Sequence, residues 1–285
     1  MVLIAESGAT KTDWRLVMDD GQVRCASGKG LNPSVLDPEG IRDIIGAVIP
    51  GLNPEGRTIV EIHFYGAGLI NSESSAMLAE ALELWCPFAE MDFQSDLVAA
   101  ARALFGNGSG IVAIMGTGSN SCLYQDGRIV RNIRPGGFIL GDEGGGASLG
   151  KAFLADFIKG LLPQEIEDDF VRETGLDYAR IVQKVYKEPA PSAFLASLAP
   201  FILQRLSHPY MKDLTAECLE SFVRRALARY PVGCEGAEGV RETGVVGSFG
   251  CACEPLLREI GCRYGLELVK FIKSPIDELV KYHGI

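Results

Sequence analysis

The chain has 285 residues, 47% of them hydrophobic and 22% charged, with a formal net charge of −10. That length and balance fit two globular domains of ordinary size, and the apolar periodicity along the chain argues against disorder. The acidic balance disfavours nucleic acid and membranes as partners, because phosphate backbones and anionic lipid would be repelled, and the sequence has no run of about 18 apolar residues that could span a bilayer.

The opening run Met1-Val-Leu-Ile-Ala5 lacks the basic flank and the length of a secretion signal, so the expected location is the cytoplasm. It reads as a buried strand. A second strand follows over 12–18, with Trp14, Leu16 and Met18 on one face. Asp19-Asp20-Gly21 is a hairpin signal, and 22–27 is a third strand, so the chain opens with an antiparallel meander. A helix is predicted from Asp37 or Pro38 to about Val48, with Ile41, Ile44, Ile45 and Val48 at helical spacing. Then come a strand over 58–65 ending in Gly66-Ala67-Gly68, a helix over 72–84, a short strand around Phe93 and a helix over 96–105.

After the break Gly106-Asn-Gly-Ser-Gly110 the pattern restarts. Strands over 111–115, 119–124 and 128–133 are joined by Gly116-Thr117-Gly118 and by Gln125-Asp126-Gly127. The strand–turn–strand–turn–strand unit thus occurs twice, which suggests duplicated lobes. The region 147–230 reads as mostly helical, most clearly over 149–161, 178–185 and 215–230. A strand over 242–246, a helix over 253–260, a strand over 266–269 and a helix over 275–282 complete the chain.

Eight cysteines are present, at 25, 86, 122, 218, 234, 251, 253 and 262, with no C-x-x-C pair. They read as reduced packing residues. His63, His208 and His283 have no metal-ligand spacing, and neither Ser7 nor Ser119 sits in a G-x-S-x-G elbow.

The chemistry concentrates in glycine turns. Glu6-Ser-Gly-Ala-Thr-Lys-Thr-Asp13 follows the first strand, and Gly116-Thr-Gly-Ser-Asn120 follows its counterpart after the restart. Turns of small residues let backbone N–H groups approach an anion, and threonine hydroxyls add donors. One such turn alone is weak evidence, and an ordinary hairpin is the plainer reading. Two in matching positions point to the β- and γ-phosphates of a nucleotide. Neither is a G-x-x-x-x-G-K-[ST] loop, and no G-x-G-x-x-G opens a βαβ unit. Gly136–Gly146 packs six glycines and Asp142-Glu143 into eleven residues. It reads as a loop where side chains would collide with substrate, against the plainer reading of a flexible loop plus helix cap.

At these residues the sequence resembles the N-acetylglucosamine kinase branch of the sugar kinase/actin/Hsp70 superfamily, grouped with the BadF/BadG/BcrA/BcrD ATPases. The resemblance runs from Glu6 to about Cys253. It implies an α/β fold of two ribonuclease-H-like (actin-like ATPase) lobes, each a mixed five-stranded sheet flanked by helices, with a cleft between them. The lobes would span 1–107 and 108–285, the second carrying a helical insertion, and the last helix would be able to pack on the N-terminal lobe.

By the same resemblance, Gly8, Ala9, Thr10, Lys11, Thr12, Gly116, Thr117 and Gly118 bind ATP phosphates. Gly247, Ser248 and Phe249 bind adenosine. Asn32, Ser119, Asn120, Gly136, Gly137 and Asp142 bind the sugar, and Asp96 is the catalytic base. Its place before a helix also suits a plain N-cap. Mg²⁺ would lie near Glu6, where the family usually carries aspartate. Phe138 replaces a tryptophan of the animal enzymes, which weakens the expected stacking on the sugar.

The implied reaction is transfer of the γ-phosphate of ATP to a hydroxyl of an amino sugar, O6 of N-acetylglucosamine first, with glucosamine and N-acetylmuramate open. The partners are ATP and that sugar, and the resemblance allows a homodimer. Two rivals remain: an ATPase activator coupling hydrolysis to electron transfer through an iron–sulfur cluster, and a sugar-binding protein without catalysis.

Overall fold

A computed structural model describes residues 1–8, 10–69, 71–231 and 242–284. The chain folds as two units, Met1–Asn107 with Ser274–Ile285, and Gly108–Lys273.

The first unit contains β1 (Val2–Ser7), β2 (Lys11–Val17), β3 (Val23–Lys29), α1 (Pro38–Leu52), β4 (Glu61–Gly66), α2 (Ser72–Glu83), β5 (Glu90–Ser95) and α3 (Asp96–Phe105). Its sheet has the order β3-β2-β1-β4-β5. The turn chemistry explains the meander: Gly21 takes a φ of +81°, and the Asp20 carboxylate accepts the Gln22 N–H at 2.9 Å. Asp37 caps α1 by accepting the Gly40 N–H at 2.8 Å. Helices α1 and α2 bury Ile41, Ile45, Ile49, Leu78 and Leu82 with Leu3, Trp14, Leu16 and Phe64 of the sheet. Each large side chain removed from water in this way contributes about 1.5–3 kcal/mol.

The second unit contains β6 (Gly110–Met115), β7 (Ser119–Gln125), β8 (Arg128–Ile133), α4 (Gly137–Leu140), α5 (Gly146–Ile158), α6 (Gln164–Thr174), α7 (Tyr178–Tyr186), α8 (Pro191–Ala196), α9 (Ala199–Leu203), α10 (Pro209–Arg225), β9 (Glu242–Val246), α11 (Ser248–Ala252), α12 (Glu254–Arg263) and β10 (Glu267–Ile272). Its sheet order is β10-β9-β6-β7-β8. In both sheets the first strand pairs antiparallel with the second and parallel with the fourth. The repeat read from the turns is therefore a repeat of topology, and both units are mixed five-stranded sheets flanked by helices.

Helix boundaries move for local reasons. The helix expected over 149–161 begins at Gly146, because the carbonyls of Gly116 and Thr117 accept the N–H groups of Gly146 and Ala147, each at 2.9 Å. The helix expected over 215–230 is α10, begun by Pro209 and ended at Arg225. The helix expected over 253–260 is α12, with Pro255 in its first turn and a short helix, α11, just before it. The final helix, α13 (Ile276–Tyr282), belongs to the first unit. There Ile276, Leu279 and Val280 pack on Ile4, Val17, Tyr65 and Ala99.

Among the described cysteines, Cys86, Cys122, Cys218 and Cys253 are buried, Cys251 is half-buried, and Cys25 and Cys262 are exposed, all as free thiols. Cys234 lies outside the described residues. No described helix is long and apolar enough to cross a membrane.

Candidate functional site

The predicted residues fall into two groups, one in each unit. In the first, the β1–β2 turn closes with the Gly8 N–H donating to the Lys11 carbonyl at 2.9 Å. Thr10 and Lys11 are exposed at its tip, and Ala9 lies outside the described residues. The register pairs Ser7 with Thr12 and therefore Glu6 with Asp13. Two carboxylates thus stand opposite each other across neighbouring strands.

Burial, more than that pairing, sets the electrostatics. Burial, reinforced by the charges of Asp13 and Asp96 and opposed by Lys11, pushes the Glu6 carboxyl up to about 7. Asp13 itself is buried and better served. Lys11 Nζ lies 2.8 Å from its Oδ1, and the Ser27 hydroxyl donates to the same oxygen at 2.5 Å. Asp13 was missed in the sequence reading, although the hairpin register that pairs 7 with 12 puts 13 opposite 6.

Thr12 is corrected. Its hydroxyl donates to the Lys29 carbonyl at 2.9 Å, accepts the Leu31 N–H at 3.1 Å and touches Ser7 Oγ at 2.8 Å, all with the side chain fully buried. It is spent on the protein and offers no donor to a phosphate. Its role is to hold the backbone at Leu31, one residue before Asn32.

Asn32 is half-buried, with its Oδ1 accepting from the Ser34 N–H at 3.0 Å and the Ser34 hydroxyl at 2.6 Å. It rests on Gly68, where a Cβ would come within 2.0 Å of that same Oδ1. Asp96 is the first residue of α3 and does not cap it. Ser95 does, accepting the Val98 N–H at 3.3 Å. Burial pushes the Asp96 carboxyl up, against the N–H groups of Leu97 and of Asp96 itself, which it accepts.

In the second unit the β6–β7 turn repeats the first: the Gly116 N–H donates to the Gly118 carbonyl at 2.9 Å. Asp142, at a φ of +54°, lays its carboxylate on Gly118, where a Cβ would meet Oδ2 at 2.4 Å. That carboxylate accepts the backbone N–H groups of Gly137 and Ser119, while burial raises its pKa. Gly118, Gly137 and Asp142 are therefore brought together, with Gly136 beside them at a φ of +86°.

Three further residues depart from expectation. The Ser119 hydroxyl donates its proton to the Glu143 carbonyl at 2.7 Å and is buried, so it fastens the turn. Phe138 is half-buried and packs against the core of the unit, so its ring supports α4. The glycine-rich segment is tight against protein as well: a Cβ at Gly145 would meet the backbone of Gly118 at 2.7 Å. Asn120 is half-buried, its Oδ1 accepting from Ser121 N–H and Asn132 Nδ2, each at 2.9 Å.

A cleft of about 450 Å³ lies within the second unit. Gly116, Thr117, Ser248 and Phe249 line it together, so predicted phosphate and adenosine residues share one space. Its opposite wall is Ala196, Ala199, Pro200 and Leu203. Those residues lie some 80 positions along the chain from Gly116 and gave no signal of their own. Gly247 turns the chain from β9 into α11 with a φ of +124°. Phe249 is buried in the core and borders the cleft as an apolar floor. The size and mixed lining suit a nucleoside.

Among the described residues no group of three or more His, Cys, Asp or Glu side chains stands close enough to hold a metal ion on its own. The Glu6–Asp13 pair still fits Mg²⁺. That ion keeps several waters and takes one or two carboxylates alongside a substrate's phosphates, and Glu6 and Asp13, opposite each other on β1 and β2, would supply them.

No protein-family model matches the chain, and no curated protein does. Solved structures do. A candidate N-acetylglucosamine kinase from Porphyromonas gingivalis is 35% identical, with a TM-score of 0.92 over 99% of this chain and 98% of that one. A candidate N-acetylglucosamine kinase from Chromobacterium violaceum shares the fold at 20% identity and a TM-score of 0.73, over 99% and 98% of the two chains. So does a ROK family glucokinase from Streptomyces griseus, in complex with glucose and AMPPNP, at 14% identity and a TM-score of 0.54 over 99% and 97%. With the first match covering both chains almost end to end, this protein belongs to the N-acetylglucosamine kinase-like family of the sugar kinase/actin/Hsp70 superfamily.

Proposed function

We propose that the protein is an ATP-dependent sugar kinase, transferring the γ-phosphate of ATP to O6 of an amino sugar, with N-acetylglucosamine the leading acceptor. The observation that carries this reading is Asp96. It is a carboxylate at the carboxyl end of a sheet strand, held up in pKa by burial and standing next to Ser95, which caps the helix in its place. Such a group can accept a hydroxyl proton and aim the oxygen. Phosphoryl transfer otherwise needs positioning and charge stabilisation more than covalent help.

Asn32 and Asp142 supply polar atoms for sugar hydroxyls, each set in place by a glycine that leaves room for it. Thr117 and Ser248 line the space for the nucleotide. Glu6 and Asp13 would hold Mg²⁺, which when bound with ATP neutralises phosphate charge.

The deciding experiment is a coupled ADP-release assay over a panel of amino sugars, with Asp96→Asn alongside. Release that depends on sugar and falls by about two orders of magnitude or more in the variant supports the reading. ADP release that ignores the sugar, or an unaffected variant, removes it.

A further inference from the structure

Helix α5 ties together the two walls of the cleft in the second unit. Its first turn is bonded to one wall, where the carbonyls of Gly116 and Thr117 accept the N–H groups of Gly146 and Ala147. Its flank carries the other wall, because α8 packs on it and continues into α9. Ala196 of α8 and Ala199, Pro200 and Leu203 of α9 are the residues that face Gly116 and Thr117 across the cleft. Gly146 and Gly150 stand one turn apart on the side of α5 that meets α8. A Cβ at Gly146 would meet the Ala196 methyl at 3.4 Å. A Cβ at Gly150 would fall 2.0 Å from the carbonyl oxygen of Leu195 and 2.8 Å from its carbon.

Gly150 is buried inside α5, where glycine is less favourable than alanine because it orders more backbone and packs no side chain. The helix itself therefore gives no reason for it, and α8 does: the two backbones touch with nothing between them. The Leu195 carbonyl over Gly150 also accepts the Leu198 N–H at 3.2 Å, at the passage from α8 to α9. Leu195 is in addition the buried side chain of α8 and anchors it at the same point. Packed atoms normally stand about 3.5–4 Å apart, so a methyl at position 150 would drive α8 back by more than about 1 Å and carry the start of α9 with it.

Resting on the kinase reading above, we infer that Gly150 is a positioning residue for the nucleotide: by carrying no side chain it seats α8 on α5 and so fixes the distance between the two walls that hold the nucleoside. The effect is selective. The loop that carries Asp142 meets α5 at its first turn, and the Gly116–Gly118 turn is bonded there, so both keep their places when α8 shifts. Contacts to the nucleotide weaken, and contacts to the sugar do not.

The test titrates AMPPNP and N-acetylglucosamine by calorimetry into wild type, Gly150→Ala and Leu195→Ala, with circular dichroism to check that each is folded. The expected result is a Kd for AMPPNP raised by about tenfold or more in either variant, with the Kd for sugar held within about twofold. Under turnover the KM for ATP should rise in the same way and the KM for sugar should hold. A Gly150→Ala protein that binds AMPPNP like wild type, or that loses both ligands equally, overturns the inference, and so does a wild type that binds no AMPPNP. If Gly150→Ala does not fold, Leu195→Ala decides on the same criteria, because it frees α8 by removing its buried anchor and adds nothing to α5. If the wild type binds AMPPNP but phosphorylates no sugar, the kinase reading fails by itself and the AMPPNP comparison still decides the role of Gly150.

Discussion

Glu6 and Asp13 face each other across β1 and β2, yet only Asp13 is answered by a cation and a hydroxyl, Lys11 at 2.8 Å and Ser27 at 2.5 Å. Glu6 has no such partners among the described residues, and burial first, then the charges of Asp13 and Asp96, raise its carboxyl to about 7 from an ordinary 4.5. Between those pH values the folded state binds more protons than the unfolded chain, so stability falls as pH rises through that window. Without ligands, the thermal midpoint of the wild type relative to Glu6→Gln should drop between pH 5 and pH 8. Parallel curves would show that Glu6 titrates normally.

Asp96 and Ser95 separate chemistry from capping. Asp96→Asn should lower kcat by about 10²–10⁴-fold while shifting the urea midpoint by no more than about 0.5 kcal/mol equivalent. Ser95→Ala should cost about 1 kcal/mol of stability through the lost cap at Val98. A large stability loss in Asp96→Asn would mean that the aspartate is structural.

Gly68 makes room for Asn32. It holds a φ of +81°, and a Cβ there would fall 2.0 Å from Asn32 Oδ1. Gly68→Ala should destabilise by about 1–3 kcal/mol and raise the KM for sugar by about tenfold with the KM for ATP unchanged. Equal rises in both constants would indicate general collapse of the unit and would remove Asn32 from sugar recognition.

His283 ties α13 to the first sheet. Its Nε2 lies 2.8 Å from Tyr65 Oη, and its ring stacks on His63 with centroids 3.7 Å apart. Burial, then the neighbouring His63 and Arg102, push its pKa down from 6.5 to about 4. Below pH 6.5 the unfolded chain takes up a proton that the folded state refuses, so stability is lost as pH falls toward 4. Because Glu6 acts in the opposite sense over part of that range, the comparison belongs in a Glu6→Gln background. There, urea midpoints from pH 4.5 to pH 7 should rise with pH, and adding His283→Gln should flatten the slope. An unaltered slope would assign the acid limb to other groups.

Much of this protein was legible in its residues alone. Glycine and aspartate turns punctuate each meander, and alternating Trp14, Leu16 and Met18 declare a buried face, so strands and the repeat of topology follow from local rules. The glycine turns at Gly8 and Gly116 were visible for the same reason. Local chemistry cannot say which hydroxyl is already spent, however. Thr12 and Ser119 look like ligand donors in sequence and are consumed by Lys29 and Glu143, partners reached only through strand pairing and packing. Nor can it assign capping between Ser95 and Asp96, or bring Ala199 and Leu203 to the wall opposite Gly116 and Ser248. Backbone propensity acts over a few residues, whereas burial, desolvation and hydrogen-bond competition are settled among residues far apart in the chain. The strands and turns are accordingly properties of the sequence, and the raised carboxyl groups and the lined cavities are properties of the tertiary structure.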